Sequence, residues 1–243
     1  MELVMVLKKW IVPTAIIVIA MLSGCASLTS QEENDPLEYI NRGIYNFNEK
    51  ADKYVLEPAA QGYQFITPAI VDQGITNFFS NLDDIVVFTN VVLQLKFNQA
   101  LSDGGRVVVN TTLGLLGFVD MATDMGMSKH NEDFGQTLGA YGVGTGPYVV
   151  LPLLGSSTLR DAAGIYADMS VDPVQRLHNP DVMWTTIALK GVDTRADLIS
   201  IKKIADMASL DAYEFRRSAY FQRREYLIFD GNPPMDDESI LDE

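Results

Sequence analysis

The sequence predicts an all-α protein, and three observations lead there. Apolar residues recur at helical spacing, as in Ile40, Ile44, Phe47 and Ala51. Residues with capping chemistry stand at the head of such runs, as in Asp35-Pro36-Leu37-Glu38. A long late stripe, Trp184, Ile187, Gly191, Thr194, Leu198, Ile201, Ala205 and Ala208, steps by three and four. The 243 residues show no internal repeat and no two-domain break, so one helical domain over residues 35–230 is expected.

The N-terminus comes first in chain order. Lys8 and Lys9 precede an apolar run over residues 10–22, and Leu22-Ser23-Gly24-Cys25 follows at once. Small residues before a thiol suit a lipoprotein signal, cleaved so that Cys25 carries the lipid. The apolar run is short beside the roughly 20 residues of a membrane span, and Pro13 interrupts it. Residues 1–24 are therefore expected to be removed, with 25–34 left as a polar tether. Cys25 is the only cysteine, which excludes an internal disulfide or a cysteine metal cluster. No aspartate follows Cys25, which favours the outer membrane over the inner. A formal net charge of −14 argues against nucleic acid as a partner.

The first helix is expected from Pro36, capped by Asp35, and ends near Pro58. Thr67-Pro68 starts a second, running to about Ser80. Residues 85–95 are nearly all apolar and would span about 16 Å as a helix. That suits either a buried core helix or one leaflet of a bilayer, and is too short for both leaflets. Residues 101–112 read as a further helix despite Val107, Val108 and Val109. Between Gly114 and Gly155 the texture changes: Gly139, Gly142, Gly144, Gly146, Pro147, Pro152 and Gly155 punctuate an otherwise apolar stretch. An apolar loop is costly in water unless it packs or faces lipid. Ser156 or Ser157 can cap a helix to Asp168, and Asp172-Pro173 opens another turn. The late stripe then carries a helix from about Asp181. Ser209 can cap a last one to about Phe229, with Ala212, Phe215, Ala219, Gln222, Tyr226 and Phe229 on its packing face. The tail 231–243 is acidic and expected to be disordered.

Catalytic patterns are scarce. His130 and His178 sit in no metal-ligand spacing, and no Gly-x-Ser-x-Gly elbow occurs. Gly142-x-Gly144-x-Gly146 lacks the lysine of a phosphate-cradling loop. Glu132-Asp133 beside His130 reads as a solvated loop. Arg216, Arg217, Arg223 and Arg224 form a basic ridge on the last helix. That ridge suits lipid phosphates, an acidic partner, or plain pairing with Glu214 and Glu225.

Ordered motifs then accumulate: Asp35-Pro36-Leu37-Glu38, Asn41-Arg42, Phe47-Asn48, Asn77-Phe78-Phe79-x-Asn81-Leu82, Asn110-x-Thr112-x-Gly114 and Gly117-Phe118-x-Asp120. Asp133-Phe134-Gly135-Gln136-Thr137-Leu138-Gly139, Gly142-Val143-Gly144-x-Gly146-Pro147-Tyr148, Leu151-Pro152, Gly155-Ser156 and Arg160-Asp161 continue them. Together they resemble the MlaA (VacJ) family over nearly the whole chain after Cys25. One departure is Arg106-Val107, where relatives often have Arg-Phe. The resemblance implies a ring-like helical domain around an amphipathic channel, seated in the inner leaflet of the Gram-negative outer membrane. It implies a trimeric porin and a soluble periplasmic lipid carrier as partners, and phospholipid as cargo. Mislocalised outer-leaflet phospholipid would pass to the carrier with no cofactor, no metal and no bond broken. On that basis Gly142, Gly144, Gly146, Pro147, Tyr148, Leu151 and Pro152 are expected in a glycine-rich apolar hairpin loop that forms a channel lip or gate. Asn46, Phe47 and Asn48 are expected at the channel entrance, and the four arginines at a headgroup or partner. A structural porin-associated lipoprotein and a phospholipase are the alternatives.

Overall fold

The computed structural model describes residues 35–234. The leader, Cys25, the tether and most of the acidic tail lie outside the described residues. Within them the chain is helical, with one two-stranded ribbon. No described helix is long and apolar enough to cross a membrane.

Helix α1 spans Glu38–Ala51. It begins two residues later than expected, because Asp35 takes the Leu37 N–H in a turn (3.0 Å) instead of capping the helix directly. Pro58 does not end it. A π-helical segment, Asp52–Leu56, follows α1 and leads without a break into α2, Glu57–Ile66. Within that segment the Glu57 N–H reaches the carbonyl of Asp52, five residues back. The ladder is reset just where Pro58 has no N–H to offer, so the proline is accommodated.

Helix α3 runs Ala69–Leu93 and absorbs both the helix expected at 67–80 and the apolar stretch after it. Residues 81–84 contain no glycine or proline to stop it. Its C-terminal half is therefore part of a long core helix rather than a separate leaflet-length one. Helix α4, Phe97–Thr112, folds back along α3, and short α5, Met121–Asp124, closes that corner. Helix α6, Phe134–Ala140, is capped by Asp133, which accepts the Gln136 N–H at 2.8 Å.

Strands β1, Tyr148–Leu151, and β2, Gly155–Thr158, pair antiparallel with Tyr148 opposite Thr158. Gly155-Ser156-Ser157 is thus a strand, and Thr158, not Ser156 or Ser157, caps helix α7, Leu159–Asp168. Helices α6 and α7 touch backbone to backbone: a Cβ on Gly164 would lie 2.5 Å from the Gly135 nitrogen. A 3-10 turn at Val174–Arg176 precedes α8, Pro180–Asp197, which continues into α9, Ile199–Ala208. Asp211, not Ser209, caps the last helix, α10, Ala212–Ile228, accepting the Tyr213 N–H at 2.9 Å. Helix α8 packs on α2 and α3, and α10 on α6 and β2.

The expected packing faces of the last helices are inverted. In α10 the buried residues are Tyr213 and Arg217, while Phe215, Tyr226 and Phe229 are exposed. In α8 the buried residues are Asp193 and Ala196, while Trp184 of the expected stripe is exposed, as are Leu198 and Ile201 after it. Among the described residues more polar and charged side chains than apolar ones are buried. The apolar clusters are small: Val87, Val91 and Ala100 in one, Tyr148, Val150 and Tyr213 in another. In these two helices the apolar face marked by the periodicity is turned outward.

Candidate functional site

The interior is held by charge. Arg106 is wholly buried, with Nη2 2.9 Å from Asp120 Oδ2 and Nη1 2.8 Å from the Met127 carbonyl. Its Nε faces Asp84, which also takes Lys129. Burial pushes the Asp120 carboxyl up, but hydrogen bonds from Thr123, Asn110 and Arg106 outweigh it and hold the group below its ordinary range. A second network joins α6, α7 and α10. Arg224 Nη2 is 3.0 Å from both Asp133 Oδ1 and Asp161 Oδ1, Arg160 Nε is 2.8 Å from Asp161, and the Tyr220 hydroxyl donates to Asp161. Burial raises both aspartates, and the arginines more than reverse it. Breaking such a pair costs roughly 3–5 kcal/mol, because the surviving charge stays buried alone.

The ribbon is fastened to α1 by two side-chain amides. Asn41 Nδ2 donates to the Tyr148 carbonyl (3.0 Å), and its Oδ1 accepts the Val150 N–H (2.9 Å). Asn48 repeats the pattern on the Leu151 carbonyl (2.9 Å) and the Leu153 N–H (2.8 Å). The two asparagines are seven helical residues apart, about 10.5 Å of rise. Their targets are three strand residues apart, about 10.2 Å. That match lets one helix face act as a third strand. Behind the ribbon, Tyr148 packs its ring against Tyr213, Tyr220 and Phe221.

The expected gate residues therefore separate. Tyr148 is buried and anchors the ribbon, and Leu151 gives its carbonyl to Asn48. Gly142 and Gly146 take positive φ (82° and 67°), and with Gly144 and Pro147 they form the irregular loop before β1. Pro152 is exposed at the ribbon's turn beside Leu153, whose φ is 63°. A leucine there is strained, since its Cβ crowds the following carbonyl. Leu95, Leu115 and Leu116 share this geometry, and all four leucines are exposed.

The three entrance candidates also divide: Asn48 clamps the ribbon, Phe47 is exposed, and Asn46 lines a cavity. The arginine ridge is split likewise. Arg217 is buried beside Glu214, Arg224 belongs to the Asp133–Asp161 network, Arg216 reaches Glu49 at 2.9 Å, and Arg223 is exposed. Glu132, expected in a solvated loop, is buried and pairs with Lys96 at 2.9 Å. His130 Nδ1 lies 2.8 Å from Asp103 Oδ1. Ser156 accepts from the Tyr148 hydroxyl and Ser157 donates to the Thr158 carbonyl.

The cavity beside Asn46 measures about 490 Å³ and lies between α1, the π segment and α8–α9. Its lining includes Lys50, Lys53, Arg195, Lys202 and Lys203 with Glu49, Asp52, Glu57 and Asp206. A second, of about 260 Å³, is lined by Asp83, Lys129, Lys190, Asp193 and Asp197 among others. Sequence reasoning missed both. The available signals were the Lys50/Lys53 spacing and the Lys202-Lys203 pair in so acidic a chain. Among the described residues no group of three or more His, Cys, Asp or Glu side chains is placed to hold a metal.

This is a helical protein with charge networks and polar cavities within and exposed leucines and aromatics without. The chain belongs to the MlaA lipoprotein family, whose model matches residues 33–227. It is 38% identical over 219 residues to the intermembrane phospholipid transport system lipoprotein MlaA of Escherichia coli (strain K12), covering 87% of this chain and 86% of that one. The protein of the same name from Haemophilus influenzae is 31% identical over 245 residues, 98% of each chain. A solved structure described as "Structural basis for maintenance of bacterial outer membrane lipid asymmetry" superposes with a TM-score of 0.71 at 35% identity. The match covers 80% of this chain and 99% of that one.

Proposed function

We propose that this protein moves phospholipid in the Gram-negative envelope, taking misplaced molecules from the outer leaflet of the outer membrane and so maintaining its lipid asymmetry. The observation that carries the reading is the inversion of the molecule. Large apolar side chains such as Trp184, Tyr166, Ile204 and Leu116 face outward, while charges and polar cavities lie inside. Each such side chain moved from water into lipid tails contributes about 1.5–3 kcal/mol. Polar cavities within an apolar shell suit a headgroup passing while its tails remain in lipid. The names of the E. coli and H. influenzae relatives and the subject of the solved structure support the same reading.

In this reading the family's ring surrounds an amphipathic channel, and lipid on Cys25 holds the protein in the periplasmic leaflet. A trimeric porin steadies it and a periplasmic carrier receives the cargo. The loop at Gly142, Gly144, Gly146 and Pro147 acts as the gate, since glycines change dihedral angle at little steric cost. The step is passive: no bond is broken, and direction comes from the carrier's affinity.

The test is transfer of labelled phospholipid from outer-membrane-like vesicles to the carrier, with the protein in complex with its porin. Intact phospholipid should reach the carrier only when the protein is present, and Gly144→Ala should slow it without loss of helicity. Release of lyso-lipid or fatty acid would instead indicate a phospholipase. No transfer from a well-folded complex would leave a structural role.

A further inference from the structure

The described chain holds seven lysines, and their partners divide them sharply. Lys96 pairs with Glu132 and Asp230, Lys129 with Asp84, Lys190 with Asp83, and Lys202 with Glu49 and Asp206. Lys50, Lys53 and Lys203 enter none of the ion pairs, and all three line the 490 Å³ cavity. In a chain of net charge −14, carboxylates are abundant, and ammonium groups with no carboxylate partner gathered at one cavity are the exception, Lys53 meeting only the ring of Tyr54 at 5.9 Å.

The backbone helps to gather them. Lys50 closes α1, Lys53 lies in the π segment, and Lys203 sits on α9 across the cavity. Asp52, next to Lys53, is occupied by Arg195 (2.9 Å to Nη2), and Glu49 by Lys202 (2.8 Å) and Arg216 (2.9 Å). The nearby carboxylates are thus committed elsewhere, and the three lysines keep their charge for something not covalently part of the chain. Single-turn π segments recur at functional sites for this kind of placement.

The surroundings narrow the ligand. Tyr54 of the π segment and Ile199 of α9 bring apolar surface to the charged lining. A free phosphate needs no apolar rim, whereas a glycerophospholipid does. The volume falls within the roughly 300–1,000 Å³ of small-ligand sites. We propose that Lys50, Lys53 and Lys203 bind the phosphodiester of a glycerophospholipid headgroup, with the acyl chains leaving the cavity over Tyr54 and Ile199. This rests on the transport reading above and names the headgroup site within it.

The full-length protein in detergent is titrated with dihexanoylphosphatidylglycerol, with inorganic phosphate, and with dihexanoylglycerol, which lacks the phosphate. The short-chain phospholipid should bind, and binding should weaken at least tenfold when all three lysines become Gln. The three Lys→Arg changes together should restore it, which a folding defect would not allow. Dihexanoylglycerol should bind weakly and equally to all three proteins. Unchanged phospholipid binding in the Gln variant overturns the site, as does inorganic phosphate binding as tightly as the lipid. Transfer to the carrier separates the two claims: an active Gln variant with unchanged binding removes this site and leaves transport standing. A wild-type protein that neither binds nor transfers removes both.

Discussion

At the scale of single residues, the sequence shows which side chains can cap and which can pair, but not which backbone they will meet. Asp133 as a helix cap follows from local chemistry, since its partner is three residues away. Asn41 and Asn48 carry the same amide chemistry, yet their targets lie more than a hundred positions away. Nothing local reports that. Asn41→Ala would leave the Tyr148 carbonyl and the Val150 N–H unpaired in a buried site. It should lower stability by roughly 2–4 kcal/mol, at about 1–3 kcal/mol for each buried group left unsatisfied. Chemical denaturation would measure the loss. Hydrogen exchange should show it concentrated at the ribbon amides, and uniform loosening of the chain would argue that the clamp is not where the cost falls. Asn48→Ala, in a more open setting, should cost about half as much.

At the scale of elements, helix existence was legible and helix phase was not. Caps, prolines and periodicity locate the start of α1, the end of α4, and both ends of α7 and α10 to within about three residues. Pro58 misleads because the π segment absorbs it, and residues 67–95 mislead because nothing in their middle breaks a helix. In α8 and α10 the period is correct and the face is opposite. Hydrophobic periodicity reveals only that two faces differ, and the surroundings decide which one turns inward. The hairpin was expected as an apolar glycine-rich loop with a helix entry at Gly155-Ser156-Ser157, and its pairing was not legible, since four-residue strands are too short for alternation to register. Its turn offers a direct check. Leu153→Asn replaces an exposed, left-handed leucine with a residue that tolerates that backbone. The variant should be as stable or more so, by up to about 1 kcal/mol. It should also weaken vesicle binding of the unlipidated chain about tenfold, the loss of one leucine from the lipid. Vesicle flotation reads the second effect, and undiminished binding would place this turn away from the bilayer.

At the scale of the whole molecule, carboxyls shifted by their surroundings fall into two sets with opposite responses to acid. Burial raises Asp103, Asp168, Asp193 and Asp197 above the ordinary value of 3.8, partly offset by neighbours such as His130 for Asp103 and Tyr63 for Asp193. Asp120, Asp133 and Asp161 are raised by burial too, but their hydrogen bonds and arginines bring them below it. A raised carboxyl binds its proton more tightly in the folded chain, so its contribution is complete below 3.8 and fades as pH climbs through the folded value. A depressed carboxyl contributes above 3.8 and loses that contribution as pH falls toward its folded value. Stability should therefore rise as pH falls through the folded values of the raised set, and decline again below 3.8 as the depressed set takes up its protons. Urea midpoints across that range would show a maximum on the acid side, and a steady decline from neutrality would contradict it.

The family and the helical class were readable from ordered motifs, but neither cavity was, because each is assembled from helices distant in sequence. The asparagine clamp has a consequence at this scale as well. A membrane is a crowded two-dimensional solution, and a bare strand edge in it recruits the next molecule's strand. Here β2 occupies one edge of β1, and Asn41 and Asn48 spend the other. The amides that fasten the ribbon to its helix thus also occupy the edge of β1 that the strand of a second copy would otherwise find open.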